Sequence, residues 1–256
     1  MTEQQIQEMA AIVDEAALNA QPVAQLSAQH AFDVDTSYAI QAASLARRYG
    51  RGEALIGLKM GFTSEAKMQQ MGVHDMIWGR LTDAMLLPSG GTLSLSGFIH
   101  PRAEPEVCFR VGEAIDRELS LEEAKEAMDA VAPAIEVIDS RYENFKFSLE
   151  DVIADNCSSA ALVVGEWQSC DQPLGDLHMD LSVNGAVVQS GSTAAILGDP
   201  WKSVVAATRL AAQYGQPIPG GAYLMAGAAT SAIFLEAGQT VSTNVEGLGT
   251  VGFNVA

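Results

Sequence analysis

Hydrophobic residues in the N-terminal third of the chain recur at the spacing of an α-helix. The first group lies three or four positions apart, at Ile6, Met9, Ile12, Val13 and Ala16. This spacing predicts an amphipathic helix over residues 3–19. A second helix is predicted over residues 36–50, with Thr36 or Ser37 as its N-terminal cap and Gly50 at its end.

Three further segments carry signals for the start and end of a helix. The stretch "SEAKMQQMG" predicts a short helix that Ser64 caps and Gly72 ends. The stretch "SLEEAKEAMDAV" opens with a capping box formed by Ser120 and Glu123. The stretch "DPWKSVVAATRLAAQYG" predicts a helix that ends at Gly215.

Strand patterns dominate the remainder of the chain. "APAIEVID" predicts a strand entered through Pro133, and "LHMDLSVNGAVVQSG" alternates around the two-residue hairpin signal Asn184-Gly185. Helices first and strands afterwards indicate an α+β fold and not regular βαβ units. We expect a small helical subdomain over residues 1–75 and a β-rich catalytic domain over residues 76–256, with one continuous domain as the alternative.

Composition and charge narrow the class of protein. The 256 residues carry a formal net charge of −18, which disfavours nucleic acid and anionic membranes as partners. Three widely spaced cysteines without a CxxC motif are typical of a reduced cytosolic protein. The acidic N-terminus resembles neither a secretory signal nor a transit peptide, and no apolar run is long enough to span a bilayer. We therefore expect a soluble cytoplasmic protein.

Two glutamates, Glu104 and Glu106, flank Pro105 in the apolar stretch "HPRAEPEVCF". Residues two apart on a strand share a face, so both carboxylates would project from one side. Side by side they repel each other, and they are costly to bury unpaired. A divalent cation between them removes this repulsion. The alternative is an edge strand with solvated charges, which Pro105 also permits.

A third carboxylate, Glu136, lies in an apolar run between Ile135 and Val137. A charge in such a run needs a compensating partner. Three carboxylates with water suit Mg²⁺ or Mn²⁺ better than zinc, because no histidine lies near them and the cysteines are unpaired. The pattern therefore predicts a Mg²⁺ or Mn²⁺ site.

Five blocks in order resemble the hydratase/decarboxylase branch of the fumarylacetoacetate hydrolase superfamily. They are "GLKMGFTSEAKMQQMGV", "HPRAEPEV", "PAIEVIDSRYENFKF", "VIADNCSS" and "EGLGTVGF". The resemblance implies a mixed β-sandwich or roll body and a metal site made by a Glu-x-Glu pair and a later glutamate. The motif match places these ligands at Glu104, Glu106 and Glu136. Here "EPE" stands where "EAE" is more usual, which leaves both carboxylates in place.

The resemblance also implies two catalytic positions. Lys59 in "GLKMG" matches an active-site lysine, which would either move protons with a lowered pKa or stay charged and hold a carboxylate. A snorkelling surface lysine is the alternative. Asp83 in "RLTDAML" matches an acidic position in a family loop, and its alternative is a turn or helix-cap residue.

Four further residues are candidate substrate contacts. Arg141 would grip a substrate carboxylate bidentately or pair with an acid structurally. Ser158 and Ser159 lie in the polar cluster "ADNCSSA", which would otherwise be a turn that satisfies its own backbone. Thr230 lies in the small-residue loop "MAGAATSA", where backbone N–H groups can approach an anion closely.

The activity that the resemblance implies is a metal-dependent carboxy-lyase reaction. It converts 2-oxo-3-hexenedioate (4-oxalocrotonate) to 2-hydroxypenta-2,4-dienoate and CO₂ in the meta-cleavage breakdown of aromatic compounds. The blocks after Lys59 and Glu136 look closer to the decarboxylase subgroup. A hydratase acting on the dienoate and a non-catalytic assembly subunit are the alternatives, and the intact carboxylate set argues against the latter. Expected partners are a small anionic 2-oxo acid, further copies of this chain and a related hydratase.

Overall fold

The computed structural model describes residues 1–64, 68–69 and 75–256 of the chain. Its α-helices in these residues are α1 (Glu3–Asn19), α2 (Val34–Gly50), α3 (Leu121–Ala127), α4 (Leu149–Ala154) and α5 (Pro200–Gln213). Within the described residues, none of the helices is both long enough and apolar enough to cross a bilayer.

Thirteen strands occur in the same residues. They are β1 (Leu55–Gly61), β2 (Ile77–Thr82), β3 (Leu86–Leu87), β4 (Thr92–Leu93), β5 (Arg102–Val111), β6 (Met128–Ile138), β7 (Ser159–Val164), β8 (His178–Val183), β9 (Ala186–Ser192), β10 (Tyr223–Met225), β11 (Ile233–Phe234), β12 (Thr240–Val245) and β13 (Gly249–Val255). Together with the N-terminal helices they confirm the predicted α+β class.

The described strands form two sheets. The larger has eight strands in the order β2-β1-β10-β5-β6-β7-β3, with β11 paired to β5 as well. The smaller has five strands in the order β4-β13-β12-β8-β9. The long strands β5 and β6 run antiparallel at the middle of the larger sheet, and most of their side chains are buried.

The smaller sheet covers one face of β5, β6 and β7. Ala103, Ile135 and Val163 on that face meet Leu181 and Phe253 of the smaller sheet in one apolar cluster. Because side chains alternate along a strand, the even-numbered residues of β5 and β6 point away from this cluster. That second face of the sheet is where the candidate site lies.

The N-terminal helices form a separate apolar cluster against the body. Met9 and Val13 of α1 meet Ile40 of α2, and Tyr142 and Ala154 complete the group. Strand β1, which falls within the predicted subdomain of residues 1–75, pairs with β2 and β10 in the larger sheet. The division of the chain at residue 75 stays a prediction.

Two element boundaries differ from the sequence prediction. Helix α2 begins earlier than predicted, because Asp33 is the cap and its side chain accepts a hydrogen bond from the N–H of Thr36. Helix α3 ends at Ala127, and β6 begins at Met128 and not at Pro133. Pairing with β5 along the whole of β6 outweighs the helical propensity of its first residues.

The hairpin turn predicted at Asn184-Gly185 is confirmed. Asn184 and Gly185 have φ of 51° and 80° between β8 and β9, as a tight two-residue hairpin requires. The short helix predicted from Ser64 to Gly72 falls mainly outside the described residues.

Candidate metal centre and active site

Three glutamates meet on the open face of β5 and β6. Glu104 lies directly opposite Glu136 in the register of the two strands, and Glu106 follows two residues later on the same face. One carboxylate oxygen from each lies within 4.8 Å of the others. The structure therefore brings together the three residues that the sequence predicted as metal ligands.

The alternative of an exposed edge strand is wrong. Strand β5 is internal to the larger sheet, between β10 and β6. The carbonyl of Pro105 accepts a hydrogen bond from the N–H of Ala229 on the side away from β6. Because the N–H and C=O of a strand residue point to the same side, the donor that proline lacks faces the gap between β10 and β11. The proline thus fits an internal strand without breaking the β5–β6 ladder.

Two of the carboxylates are buried and incompletely hydrogen-bonded. Glu106 is fully buried and Glu136 is 1% exposed. Within the described residues, Oε1 of each has no hydrogen-bond partner. Burial raises the pKa of Glu106 well above its usual range, and the nearby Glu136 raises it further. Burial also raises the pKa of Glu136 to about 7, although Lys59 opposes this shift.

The small-residue loop after β10 supplies a backbone donor to the cluster. The N–H of Gly227 donates to Oε2 of Glu106 at 2.8 Å. Gly227 has a φ of 110°, and a Cβ there would lie 2.1 Å from Oγ1 of Thr63. Only glycine fits this position, as expected for a small-residue loop that approaches an anion. The anion it meets is a protein carboxylate.

Lys59 on β1 completes the buried charge cluster. Its Nζ lies 3.0 Å from Oε2 of Glu136, an ion pair without good hydrogen-bond direction, and donates to the carbonyl of Cys157 at 3.1 Å. Burial lowers the pKa of Lys59, but Glu136 and the neighbouring carboxylates more than offset this and raise it above its usual value. Of the two roles predicted for Lys59, the geometry favours a charged residue that holds a carboxylate.

A strained turn presents the Cys157 carbonyl to Lys59. Asn156, Cys157 and Ser158 have φ of 49°, 52° and 59°, which is costly for residues other than glycine. The side chain of Asn156 bonds both the N–H and the C=O of Arg80 at 2.8 Å, which anchors the turn to β2. A Cβ on Gly79 would lie 2.6 Å from the Asn156 carbonyl, so this glycine allows the close approach.

A cavity of about 390 Å³ opens beside these groups. Its described lining combines charged, hydroxyl and apolar residues: Lys59, Gly61, Phe62, Ile77, Arg102, Glu104, Ile138, Phe145, Phe147, Val152, Cys157, Ser158, Ser231 and Ala232. The hydroxyl of Ser158 is buried there, and within the described residues it has no hydrogen-bond partner. Ser158 therefore lies at the cavity wall, and its role as a substrate contact stays a prediction.

The structure does not bring Asp83 to this cavity. Asp83 is exposed just after β2, and its Oδ1 accepts hydrogen bonds from the N–H groups of Ala54 and Ala84 at 2.8 and 2.9 Å. These are the contacts of a turn residue, which is the alternative that the sequence left open. The match of Asp83 to an acidic loop position of the family did not indicate which way its side chain points.

Arg141 also lies apart from the cavity. Its guanidinium bonds Asp155 and donates to the backbone carbonyls of Asp139 and Ser159. Burial raises the pKa of Asp155 to about 6, although Arg141 opposes the shift. The arrangement matches structural pairing with an acid, the other role that the sequence allowed for Arg141, and Arg141 is not among the described residues that line the cavity.

The last two predicted contacts lie next to the cavity wall. Ser159 follows Ser158, and its buried hydroxyl lies against the backbone of Gly79. Thr230 precedes the lining residue Ser231 and donates to its carbonyl at 3.2 Å. Neither is among the described residues that line the cavity.

Sequence reasoning missed Arg102, which lines the cavity on the same face as the glutamates. Its guanidinium stacks on Phe145 and Phe234, with its central carbon 3.8 and 4.3 Å from the ring centres. Arg102 lies two residues before Glu104. The alternation of strand side chains that places Glu104 and Glu106 on one face therefore predicts that Arg102 shares this face.

Comparison with known proteins agrees with this geometry. The family model "Fumarylacetoacetate (FAA) hydrolase C-terminal" matches residues 53–256. A 4-oxalocrotonate decarboxylase of Pseudomonas sp is 47% identical over 249 residues, covering 97% of each chain. A 2-keto-4-pentenoate hydratase of Paraburkholderia xenovorans (strain LB400) is 32% identical over 260 residues, covering 98% of this chain and 95% of the relative.

A solved structure is similar over the whole length of the chain. It is the 4-oxalocrotonate decarboxylase from Pseudomonas putida G7, complexed with magnesium and adipate. It matches with a TM-score of 0.97 and 35% identity, covering 100% of this chain and 99% of that one. The family match, these relatives and the shared fold lead to one conclusion: the chain belongs to the fumarylacetoacetate hydrolase family.

Proposed function

We propose that this protein decarboxylates 2-oxo-3-hexenedioate to 2-hydroxypenta-2,4-dienoate and CO₂ with the help of a divalent metal ion. The observation that carries the proposal is the convergence of Glu104, Glu106 and Glu136 beside a cavity of substrate size. The similarity to 4-oxalocrotonate decarboxylases over 97% of the chain supports the same reaction.

The three carboxylates fit a hard divalent cation. They offer oxygen atoms within 4.8 Å of one another, and two buried oxygens, Oε1 of Glu106 and Oε1 of Glu136, have no other partner in the described residues. We infer that Glu104, Glu106 and Glu136 hold Mg²⁺ or Mn²⁺. Bound there, the ion acts as a Lewis acid towards the carbonyl oxygen of a 2-oxo acid and stabilises negative charge on it.

The reaction moves negative charge from one end of the substrate to the other. The C5–C6 bond breaks, C6 leaves as CO₂, and the electron pair moves through the C3=C4 double bond to the oxygen on C2. A proton then adds to that oxygen and gives the 2-hydroxydienoate. The protein must therefore provide positive charge near the C2 oxygen and surroundings near C6 that favour loss of charge.

Lys59 contributes positive charge at the carboxylate end of the cavity. Its raised pKa keeps it protonated at neutral pH, and its ion pair with Glu136 fixes that carboxylate. As a protonated group on the cavity wall, Lys59 offers an N–H donor and a positive charge to the oxygen on which negative charge develops. The free hydroxyl of Ser158 is a second hydrogen-bonding group for substrate at this end.

The rest of the wall is mainly apolar. Ile138, Phe145, Phe147 and Val152 line it in the described residues. A carboxylate among such side chains loses part of its hydration, and conversion to neutral CO₂ relieves that cost. The wall therefore favours decarboxylation over retention of the charged group.

The proposal extends to assembly and location. We infer a homo-oligomer in the cytoplasm that can associate with a related hydratase, because the dienoate product is the substrate on which such a hydratase acts. Two exposed valines on β9, Val187 and Val188, are apolar surface of the kind that subunit contacts cover. Light scattering of the purified protein, alone and with a hydratase of the family, measures both associations.

The deciding experiment offers two substrates to the purified protein with Mg²⁺. Release of CO₂ from 2-oxo-3-hexenedioate is the expected result. Loss of diene absorbance from 2-hydroxypenta-2,4-dienoate without any CO₂ release would instead identify a hydratase. Failure with both substrates would support a non-catalytic subunit.

A further inference from the structure

Arg102 extends the row of charged residues on β5. Arg102, Glu104 and Glu106 occupy alternate positions of one strand and so project from the same face. Two residues of a strand span about 7 Å. The guanidinium thus lies one side-chain position beyond the carboxylate cluster, along the same wall of the cavity.

Two aromatic rings stack on the guanidinium of Arg102 and restrict its orientation. Phe145 and Phe234 each stack on it, and Phe234 is the register partner of Arg102 in the β5–β11 pair. Phe234 is 61% exposed, so burial of its own ring does not account for its position. Stacking of this kind restricts an arginine to one plane and prepares it for bidentate contact with a carboxylate.

Among the described residues, none of the carboxylates forms an ion pair with the Arg102 guanidinium. In the described part of the chain, none of the side-chain hydrogen bonds or ion pairs includes its guanidinium, and its Nε is buried without a partner. The other cation among the described lining residues is Lys59, which is engaged with Glu136 and the Cys157 carbonyl. Arg102 therefore offers the cavity unused donors in the geometry that carboxylates prefer.

We propose that Arg102 binds the C6 carboxylate of the substrate and makes the site select dicarboxylates over monocarboxylates. The inference rests on the proposed function, in which the C1 and C2 oxygens lie at the glutamate cluster. A six-carbon chain with bonds of about 1.5 Å spans on the order of 6 Å between its ends. This length matches the separation of neighbouring side-chain positions on one face of β5.

The chemistry of the leaving group limits what Arg102 can do. The C6 carboxylate loses its charge as it becomes CO₂, so its contact with Arg102 is stronger in the bound substrate than in the transition state. A contact of that kind improves binding and selection but does not by itself accelerate the bond-breaking step. Loss of Arg102 should therefore raise KM without lowering kcat.

The test uses two ligands that differ only in the distal carboxylate and resist decarboxylation. These are 2-oxohexanedioate and 2-oxohexanoate, titrated by calorimetry into the Mg²⁺-loaded protein. Wild type should prefer the dicarboxylate by about tenfold to a hundredfold, the range for charge-assisted hydrogen bonds. Arg102→Gln should lose this preference while binding 2-oxohexanoate as wild type does, and Arg102→Lys should recover part of it.

Arg110→Gln is the matched control. Arg110 lies on the same strand and loses the same charge, but its partner is Asp129 at the protein surface. It should keep the full preference. Wild type without preference for the dicarboxylate, or an Arg102→Gln protein that keeps it, would overturn the inference. Clear Arg102-dependent selection without CO₂ release from 2-oxo-3-hexenedioate would leave the inference standing and overturn the proposed reaction.

Discussion

Two groups of buried charge in this protein differ in how completely they are satisfied. Around Arg141, the guanidinium bonds the Asp155 carboxylate and three backbone carbonyls, so each charge has partners. In the glutamate cluster, Glu106 and Glu136 are equally buried, yet each keeps an oxygen that has no partner in the described residues.

This difference distinguishes a group of charges that stabilises the fold from a group that binds a ligand. A buried charge without partners is costly, so an arrangement that retains it implies a group that binds there. A buried charge with a full set of hydrogen bonds needs no further ligand. By this argument the Arg141 group stabilises the turn that follows α4, and we propose that the glutamate cluster binds a cation.

Glu106→Gln is expected to have the largest effect. It replaces a charged ligand by a weaker neutral one, and Lewis-acid stabilisation is worth several kcal/mol, so turnover should fall by about a thousandfold or more. The metal-free protein should melt no lower than wild type, because glutamine replaces a buried carboxyl group whose ionised form is costly at this position. Full turnover in this variant, measured by CO₂ release, would remove Glu106 from the site.

Asp155→Asn should give the opposite result. It leaves the Arg141 charge buried without its counter-charge, and arginine cannot lose its proton. We expect a stability loss of about 3 kcal/mol by urea denaturation, with kcat of the folded protein near that of wild type. Asp129→Asn, which breaks the exposed pair with Arg110, is the control and should cost far less. A variant that stays stable but loses turnover would place Asp155 in catalysis.

Lys59→Met tests the role of the positively charged lysine side chain beside the glutamate cluster. Turnover should fall by roughly a hundredfold, the scale for loss of one donor that stabilises developing negative charge. Mg²⁺ affinity should not fall, because lysine is not a ligand for a hard cation and its loss removes a competing positive charge next to Glu136. Parallel losses in calorimetric Mg²⁺ affinity and in turnover would show that Lys59 only supports the site.

Gly227→Ala should have an intermediate effect on metal affinity. The added Cβ would meet Oγ1 of Thr63 at 2.1 Å, so the loop must move and its N–H leaves Glu106. We expect a decrease of about tenfold to a hundredfold in Mg²⁺ affinity, as for other groups that orient a ligand. Gly238→Ala has a similar positive φ but open space around its Cβ, and it should bind Mg²⁺ as wild type does.

The smallest expected effect is a pH dependence of metal binding. The pKa of Glu136 is raised to about 7 in the metal-free protein, whereas Mg²⁺ binds the ionised carboxylate. Binding near pH 6.5 should therefore release protons, and affinity should weaken as pH falls below 7. The metal-free protein should instead lose stability as pH rises from about 4.5 to 7, because its folded state favours the protonated acid. Calorimetry in buffers of different ionisation enthalpy measures the proton release.

Much of this picture could be predicted from local sequence rules. The spacing of Glu104 and Glu106 on a strand, and the apolar setting of Glu136, pointed to shared placement before any contact was known. The sheet confirmed it by pairing Glu104 with Glu136. Such rules work when the relevant partners follow the period of a single element.

The remaining parts depended on contacts that no local rule describes. The partner of Arg141 is Asp155, 14 residues away in sequence, where a turn brings it back to the strand end. Asp83 could point to the site or to its own turn with equal local plausibility, and the N–H groups around it settled the matter. Tertiary packing decides such cases, so the sequence left both alternatives open.

Stabilisation of the metal-free protein by Mg²⁺ is the most direct test of the glutamate cluster as a metal site. Melting curves at pH 7.5 with millimolar Mg²⁺ should show a clear rise for wild type, since a ligand at a hundredfold excess over Kd adds about 2.7 kcal/mol. Glu136→Gln should show no such rise, while Asp155→Asn should melt lower but keep it. A wild-type melting temperature indifferent to Mg²⁺, or a rise that survives in Glu136→Gln, would contradict the assignment of the glutamate cluster as the metal site.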